Sequence, residues 1–268
     1  MKIIVPIKQV PETNAVKMDE ATGTMVRDGV EAIINPLDLY AIECALRLRQ
    51  EHGGEVVAIS MGPPKAETAL REAIAMGCDS GVLVSDKAFG GADTWATSYV
   101  LSAAIKKIGD VDLIICGERA TDGDTGQVGP GIAAFLDLPV VTYVSGVNEM
   151  DGRHCIVRRL VEEGCEVLDM QLPGVLTVVK EVADPRLPTL RGKLKAKTTP
   201  LPVFKSSDLE ITPDKIGLSG SPTRVVKIFK PKVTRQCKKL VAADEASVNR
   251  AAAELLDFLS EKDLLNLV

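Results

Sequence analysis

Two polar segments hold the residue types that can do chemistry here. One is Gly117-Glu118-Arg119-Ala120-Thr121-Asp122-Gly123-Asp124-Thr125-Gly126-Gln127-Val128, and the other is Asp93-Thr94-Trp95-Ala96-Thr97-Ser98. Glycine lets backbone approach a ligand closely, and hydroxyls in a first helical turn stand where unpaired N–H groups point. Such a combination suits phosphate or a nucleotide. An ordinary surface loop of the same composition is the plain alternative. Asp122 and Asp124 would repel phosphate, and read better as acceptors for ribose hydroxyls or as helix caps. No residue reads as a general base or nucleophile. His52 and His154 each stand alone beside a turn and read as surface residues. Cys44, Cys78, Cys116, Cys155, Cys165 and Cys237 are scattered singly, without the spacing of a metal or redox pair. Cys78 and Cys116 read as small buried hydrophobes.

The elements around these segments predict how they are held. An apolar run, Leu113 to Cys116, precedes the first segment, and a helical pattern through Ile132, Ala133 and Phe135 follows it. The same rhythm runs through the first half of the chain. Lys2 to Ile7 reads as a strand, Asn35-Pro36-Leu37-Asp38 opens a helix that Gly53-Gly54 stops, and Val56 to Met61 is a second strand. A helix over Ala66 to Met76, a strand over Ser80 to Val84, a helix capped by Asp93 and a strand over Val140 to Val144 continue it. Alternation of this kind predicts an α/β, Rossmann-like fold: a mostly parallel sheet with helices on both faces. Ligands of such sheets bind outside the carboxyl ends of the strands. Pro6, Met61, Asp93 and Glu118 to Gln127 fall at those ends. Pro6 should end its strand or stand unpaired, and Asn35 reads as a helix cap.

Other stretches read as additions. Glu12 to Glu31, with a turn at Thr22-Gly23, is a hairpin-like excursion. Cys155 to Leu160, Glu166 to Met170 and Gly174 to Val179 read as an antiparallel extension of the sheet. Leu187 and Leu190 sit on a loop stiffened by Pro185 and Pro188, with Lys193, Lys195 and Lys197 behind it. Past Leu201 the composition turns polar, until an amphipathic helix over Ala243 to Leu265. The reading is an α/β domain over 1–200, including the loop at 183–198, and a C-terminal arm over 201–268. That arm cannot bury its own apolar helix face and should dock on another subunit.

Composition excludes several classes. The formal net charge of -5, from 32 Lys+Arg against 37 Asp+Glu, argues against a nucleic-acid partner. Aromatics at 3% argue against stacking platforms for single strands. No run approaches the ~20 apolar residues of a membrane span, and MKIIVPIKQV is too soon interrupted for a signal peptide. Singly scattered cysteines fit a reducing, cytoplasmic setting. No P-loop is present, which ranks an ATP-cleaving synthetase last. A nucleotide-binding regulatory domain without redox role accounts for the rim residues, but not for the Leu190 loop or the terminal helix.

An ordered set of segments then points to a family. Val5-Pro6-Ile7-Lys8-Gln9-Val10, Asn35-Pro36, Ala58-Ile59-Ser60-Met61-Gly62-Pro63, Ala73-Ile74-Ala75-Met76-Gly77-Cys78-Asp79 and the Gly117 to Gln127 loop come first. Leu172-Pro173-Gly174-Val175-Leu176-Thr177-Val178, and Asp184-Pro185-Arg186 with Thr189-Leu190 and Lys195-Ala196-Lys197, follow. Together they resemble the beta subunit of electron-transfer flavoproteins, over about Met1 to Thr198. The resemblance implies a heterodimer whose alpha subunit carries the electron-transferring FAD. It implies a nucleotide site at Pro6, Asn35 to Asp38, Met61 and Gly117 through Val128, to which the hydroxyl-rich turn at Asp93, Thr94 and Thr97 is added.

Ordinary members hold AMP as a structural element, whereas a second group, linked to electron bifurcation, holds a second FAD. Asp122 to Pro130, with its small residues, and Asp93 to Ser98 look like that second group. The resemblance therefore implies FAD in preference to AMP, NADH as hydride donor, and ferredoxin as one electron acceptor. It implies a flavin dehydrogenase of acyl-CoA, enoyl-CoA or hydroxy-acid type as partner. Arg119, permanently charged, is then suited to an anionic flavin or a phosphate. Leu190 matches the leucine that anchors the family's recognition loop in the dehydrogenase, so it is the expected partner-binding residue. There are departures. Leu160 stands where ordinary members often have a glutamate that pairs with an alpha-subunit arginine. Pro188 and Arg191 flank Leu190 unlike the commoner pattern, which argues for a partner other than an ordinary acyl-CoA dehydrogenase.

Overall fold

Runs that are apolar without alternation form the middle of the fold, as burial on both faces of a parallel sheet requires. The computed structural model describes residues 1–12, 17–18, 25–26, 32–226, 238–262 and 264. The chain opens with β1 (Lys2–Pro6), buried from Ile3 onward, and Pro6 is its last residue, as expected. β2 (Gln9–Pro11), β3 (Lys17–Met18), β4 (Met25–Val26) and β5 (Ala32–Ile34) follow. β2 pairs antiparallel with β5, and β3 with β4. This is the expected excursion; its Thr22-Gly23 turn lies outside the described residues. α1 (Pro36–His52) has proline at its start, where no N–H is missed, and ends at Gly53 with φ 73°. Next, β6 (Glu55–Met61), α2 (Glu67–Met76), β7 (Ser80–Val84), α3 (Thr94–Ile108), β8 (Leu113–Gly117) and α4 (Val128–Leu136) alternate. Then come β9 (Val140–Met150), β10 (His154–Val161), β11 (Gly164–Gln171), β12 (Gly174–Val178), α5 (Leu190–Thr198), β13 (Val203–Phe204) and α6 (Gly217–Gly220). All of these belong to one unit, 1–228, while α7 (Glu245–Glu261) belongs to a second, 229–268.

Among the described residues, nine strands form one sheet in the order β11-β10-β9-β12-β8-β1-β6-β7-β13. Every pairing from β9 across to β13 is parallel, and β10 and β11 extend it antiparallel. One face packs Ile3, Val5, Ala58 and Ile115 against α1 and α2, with α5 packed on α2. The other packs Ile4, Ile59, Val82 and Ile114 against α3 and α4, with Leu209 and Ile216 beside them. Each of these buried Ile and Leu side chains is worth about 1.5–3 kcal/mol. The sheet is thus a stiff frame for whatever sits at its rim.

Three expectations need correction. Gly174 to Val179 is not part of an antiparallel extension: β12 lies inside the parallel sheet, between β8 and β9. All five of its residues are buried, the signature of a central parallel strand. The strand begun at Val140 does not stop at Val144. It runs on to Met150, because its second half pairs with β10. Tyr143, at φ 56°, is the extra residue of a bulge where three positions of β9 span two of β12. Finally, Leu190 is not on a loop but opens α5, with the Thr189 hydroxyl accepting from Gly192 N–H at 2.9 Å.

The segment before α5 is tied down by charge. Arg186 donates to Glu43 from Nε at 2.7 Å, from Nη2 at 3.0 Å and from its backbone N–H at 3.1 Å. Glu43, on α1, is 4% exposed at its side chain. Behind it, Gly192 lies so close to the Ala75 carbonyl that a Cβ would sit 2.1 Å from that oxygen. Leu187 and Leu190 are left 84% and 78% exposed. In the second unit, α7 is capped by Asp244 and leaves Val248, Leu255, Leu256 and Phe258 exposed.

Candidate functional site

The chain lays β6 and β7 on one side of β1 and then crosses to lay β8 on the other. The strand order therefore reverses between β1 and β8, which is where an open parallel sheet leaves a crevice for a ligand. The residues leaving those two strands are Ile7-Lys8 and the Glu118 to Gln127 loop.

Four side chains stitch this crevice. Asn35 is 1% exposed. Its Nδ2 donates to Asp38 Oδ1 at 2.9 Å and to the Arg119 carbonyl at 2.9 Å, while its Oδ1 accepts from Thr121 N–H at 3.1 Å. It makes no side-chain cap to α1; the expected cap has been replaced by a bridge to the loop. Asp38 Oδ2 accepts from the Lys8 N–H at 2.7 Å. Burial pushes the Asp38 carboxyl up to about 7, against the opposing pull of its bonds from Asn35 and Lys8. Lys8 Nζ pairs with Asp122 at 2.6 Å, joining the end of β1 to the loop. Gly117 has no room for a side chain, since a Cβ would lie 2.4 Å from Asp38 Oδ1.

Within the loop, the Ala120 carbonyl accepts from Gly123 N–H at 3.3 Å and from Asp124 N–H at 2.8 Å. Arg119 pairs with Asp124 at 3.0 Å and Glu118 at 3.4 Å. Asp122 and Asp124 thus pair with Lys8 and Arg119 and do not cap α4, correcting that alternative. Gln127 precedes α4 without a side-chain cap either. Among the described hydrogen bonds, none uses the backbone N–H of Thr125, Gly126, Gln127, Val128 or Gly129. Asp124 (φ 54°) and Gly126 (φ 61°) turn the backbone left-handed here, a conformation that builds concave sets of N–H donors for anions. A Cβ at Gly123 would meet nothing within 4 Å, so the loop is open on that side.

The second polar segment lies alongside. Thr94 Oγ1 donates to Gln127 Oε1 at 2.9 Å, and Ser98 Oγ lies 3.3 Å from the Val128 carbonyl. A Cβ at Gly131 would fall 2.4 Å from Ser98 Oγ, and one at Gly129 would fall 2.6 Å from Thr177 Cγ2. The start of α4 is therefore pressed between α3 and β12. Asp93 caps α3 as expected, accepting from Ala96 N–H at 3.0 Å. Its other oxygen takes Thr223 N–H at 2.9 Å and Thr223 Oγ1 at 2.7 Å. Burial raises this carboxyl, but those bonds outweigh it and hold it below the usual range. Thr97 is half-buried in the same first turn, and its N–H bonds to the Asp93 carbonyl at 2.9 Å.

The expected residues therefore fall into groups. Asn35, Asp38 and Gly117 through Val128 form one connected set, and Thr94 joins it through Gln127. Pro6 and Met61 end neighbouring parallel strands, with Met61 half-buried toward α3 and α4. Leu190 stands away from this set, on α5 against the far end of α2. Sequence reasoning passed over Lys8 as a site residue, and the 216–223 segment as a cover for the start of α3. A lysine after a strand carries no signal of a partner 114 positions on.

The comparisons with known proteins agree among themselves. A family model, the electron transfer flavoprotein domain, matches residues 22–209. The chain is 46% identical over 266 residues to the caffeyl-CoA reductase-Etf complex subunit CarD of Acetobacterium woodii, covering 99% of this chain and 100% of the relative. It is 43% identical over 262 residues to the electron transfer flavoprotein subunit beta of Clostridium acetobutylicum, covering 98% and 99%. It is also 43% identical over 272 residues to the acryloyl-CoA reductase electron transfer subunit gamma of Anaerotignum propionicum, covering 99% and 100%. No helix among the described residues is long and apolar enough to cross a membrane.

Proposed function

The chain belongs to the electron transfer flavoprotein family, as a beta subunit, and from that premise we propose that its crevice holds an FAD that takes hydride from NADH in an electron-bifurcating complex. The observation that carries this reading is the run of backbone N–H groups from Thr125 to Gly129 with no partner among the described hydrogen bonds. A diphosphate needs such donors. The loop carboxylates oppose it less for being paired, Asp122 with Lys8, and Glu118 and Asp124 with Arg119.

When bound, a flavin supplies the exchange between a hydride and single electrons. This chain's part is to bind and orient. Thr125 to Gly129 would hold the diphosphate and Thr94 and Gln127 would flank it, while Lys8 and Arg119 stay paired with the loop carboxylates. The partners that this chemistry would serve are the FAD of an alpha subunit with its dehydrogenase, and ferredoxin. The names of two relatives refer to reductases of caffeyl-CoA and acryloyl-CoA, both 2,3-unsaturated thioesters. They favour a partner of the enoyl-CoA type, docking on the surface that Leu187 and Leu190 expose.

The heterodimer purified with its alpha subunit should release two FAD on extraction, measured by chromatography against protein. One FAD and one AMP would replace this reading with simple electron transfer over a structural nucleotide.

A further inference from the structure

Asn35 is placed among the residues expected to touch the nucleotide, and its geometry leaves it nothing to touch with. An amide offers two donor hydrogens, and both are spent, on Asp38 Oδ1 and on the Arg119 carbonyl. Its oxygen takes Thr121 N–H, and the whole residue is 1% exposed. Asp38, 6% exposed, is spent in the same way, on Asn35 and the Lys8 N–H. What Asn35 does hold is the loop. It takes the carbonyl before Ala120 and the N–H after it, so both peptide planes around Ala120 are set from the residue that precedes α1. The Ala120 carbonyl in turn closes the turn at Gly123 and Asp124. Immediately beyond come the five N–H groups that have no partner among the described hydrogen bonds.

We propose that Asn35 is a positioning residue, which touches no part of the nucleotide and presets the Arg119–Asp124 half of the loop so that the Thr125–Gly129 half is ready for an anion. The loop thereby divides into a frame, bonded within the protein, and a ligand-facing part. A loop ordered before its ligand arrives spares binding the ordering cost, and a loosened loop restores that cost. This inference rests on the proposed nucleotide site, and its test separates the two.

The experiment uses the heterodimer with its alpha subunit, and measures the FAD that AMP displaces, so that only this chain's site is read. In Asn35→Ala, two loop hydrogen bonds are lost, and the FAD concentration that half-fills the site should rise about tenfold or more. The 1:1 heterodimer should remain intact on gel filtration, which a general structural role would not allow. An unchanged half-filling concentration would overturn the inference. Should the variant not fold, amide exchange in the wild type decides. With FAD removed, Thr121 N–H should stay protected while Thr125, Gly126 and Gln127 exchange quickly. Equal rates at all four would overturn it. A wild type with no displaceable FAD refutes the FAD reading alone, and the same amide measurement, with AMP as ligand, still tests Asn35.

Discussion

Replacing Glu43 by alanine should destabilise the α/β unit and loosen its Leu187/Leu190 surface together. Glu43 accepts three hydrogen bonds from Arg186 at 2.7–3.1 Å and one from Arg47 Nε at 3.0 Å. Breaking a buried pair by removing one partner costs about 3–5 kcal/mol. Arg186 is 30% exposed at its side chain, so water can recover part of its hydration, which brings the expected loss to about 2–4 kcal/mol. For a unit of this size that is a fall of about 4–16 °C in Tm. The pH dependence has a definite sign. Burial would raise the Glu43 carboxyl, but the bonds from Arg186 and Arg47 outweigh it and hold it below the usual 4.5. Its contribution is therefore present above pH 4.5 and lost as the pH falls through the lower, folded-state value. Thermal unfolding followed by circular dichroism at pH 7, and again in acid, should show a large gap between wild type and Glu43→Ala that closes as Glu43 protonates. A Tm within about 1 °C of wild type at pH 7 would mean that Arg186 is seated by something else, and the reasoning would fail.

Asp38 titrates the other way. Its carboxyl rises from 3.8 to about 7 through burial. It stabilises the fold below 3.8, and that stability is lost as the pH rises through about 7, by at most about 4 kcal/mol. Asp38→Asn should flatten the fall in urea midpoint between pH 4 and 8; a slope equal to wild type would refute the assignment. Trp95 is the single tryptophan of the chain, 38% exposed and next to Thr94. Taking the emission of a Trp95→Phe heterodimer as the background, the Trp95 emission should be quenched when FAD refills the site and not when AMP does. Equal emission with both would place the flavin ring away from the start of α3.

Much of the site could be read in one dimension because its parts are local. A strand, a glycine-bearing loop and a helix start lie within 25 residues, and Asp93 caps a helix three positions away. What stayed hidden is long-range. Asn35-Pro36 has the sequence of a cap, and only the fold brings Arg119 and Thr121 to it across 84 and 86 positions. The same holds for Lys8 with Asp122, and for Asp93 with Thr223. The misplacement of Gly174 to Val178 has a different cause. Its neighbours in sequence are the antiparallel β10 and β11, whereas its neighbours in space are β8 and β9. Its five consecutive buried positions carried the correct answer.

The bulge at Tyr143 has a consequence for how this chain can change in length over evolutionary time. Val141 and Val144 are three apart, yet both bury on the α1 side, opposite Leu176 and Val178. In a regular strand an odd separation sends side chains to opposite faces. The extra residue restores the parity. Against β10 the strand shifts register twice more, over Val144 to Gly146 and over Val147 to Glu149, so only a residue lost or gained outside these steps would turn the following stretch inside out. At 142–143 a deletion removes only the bulge. Descendants of this fold should therefore record their insertions and deletions in this strand at its irregular steps, where the ladder already has slack.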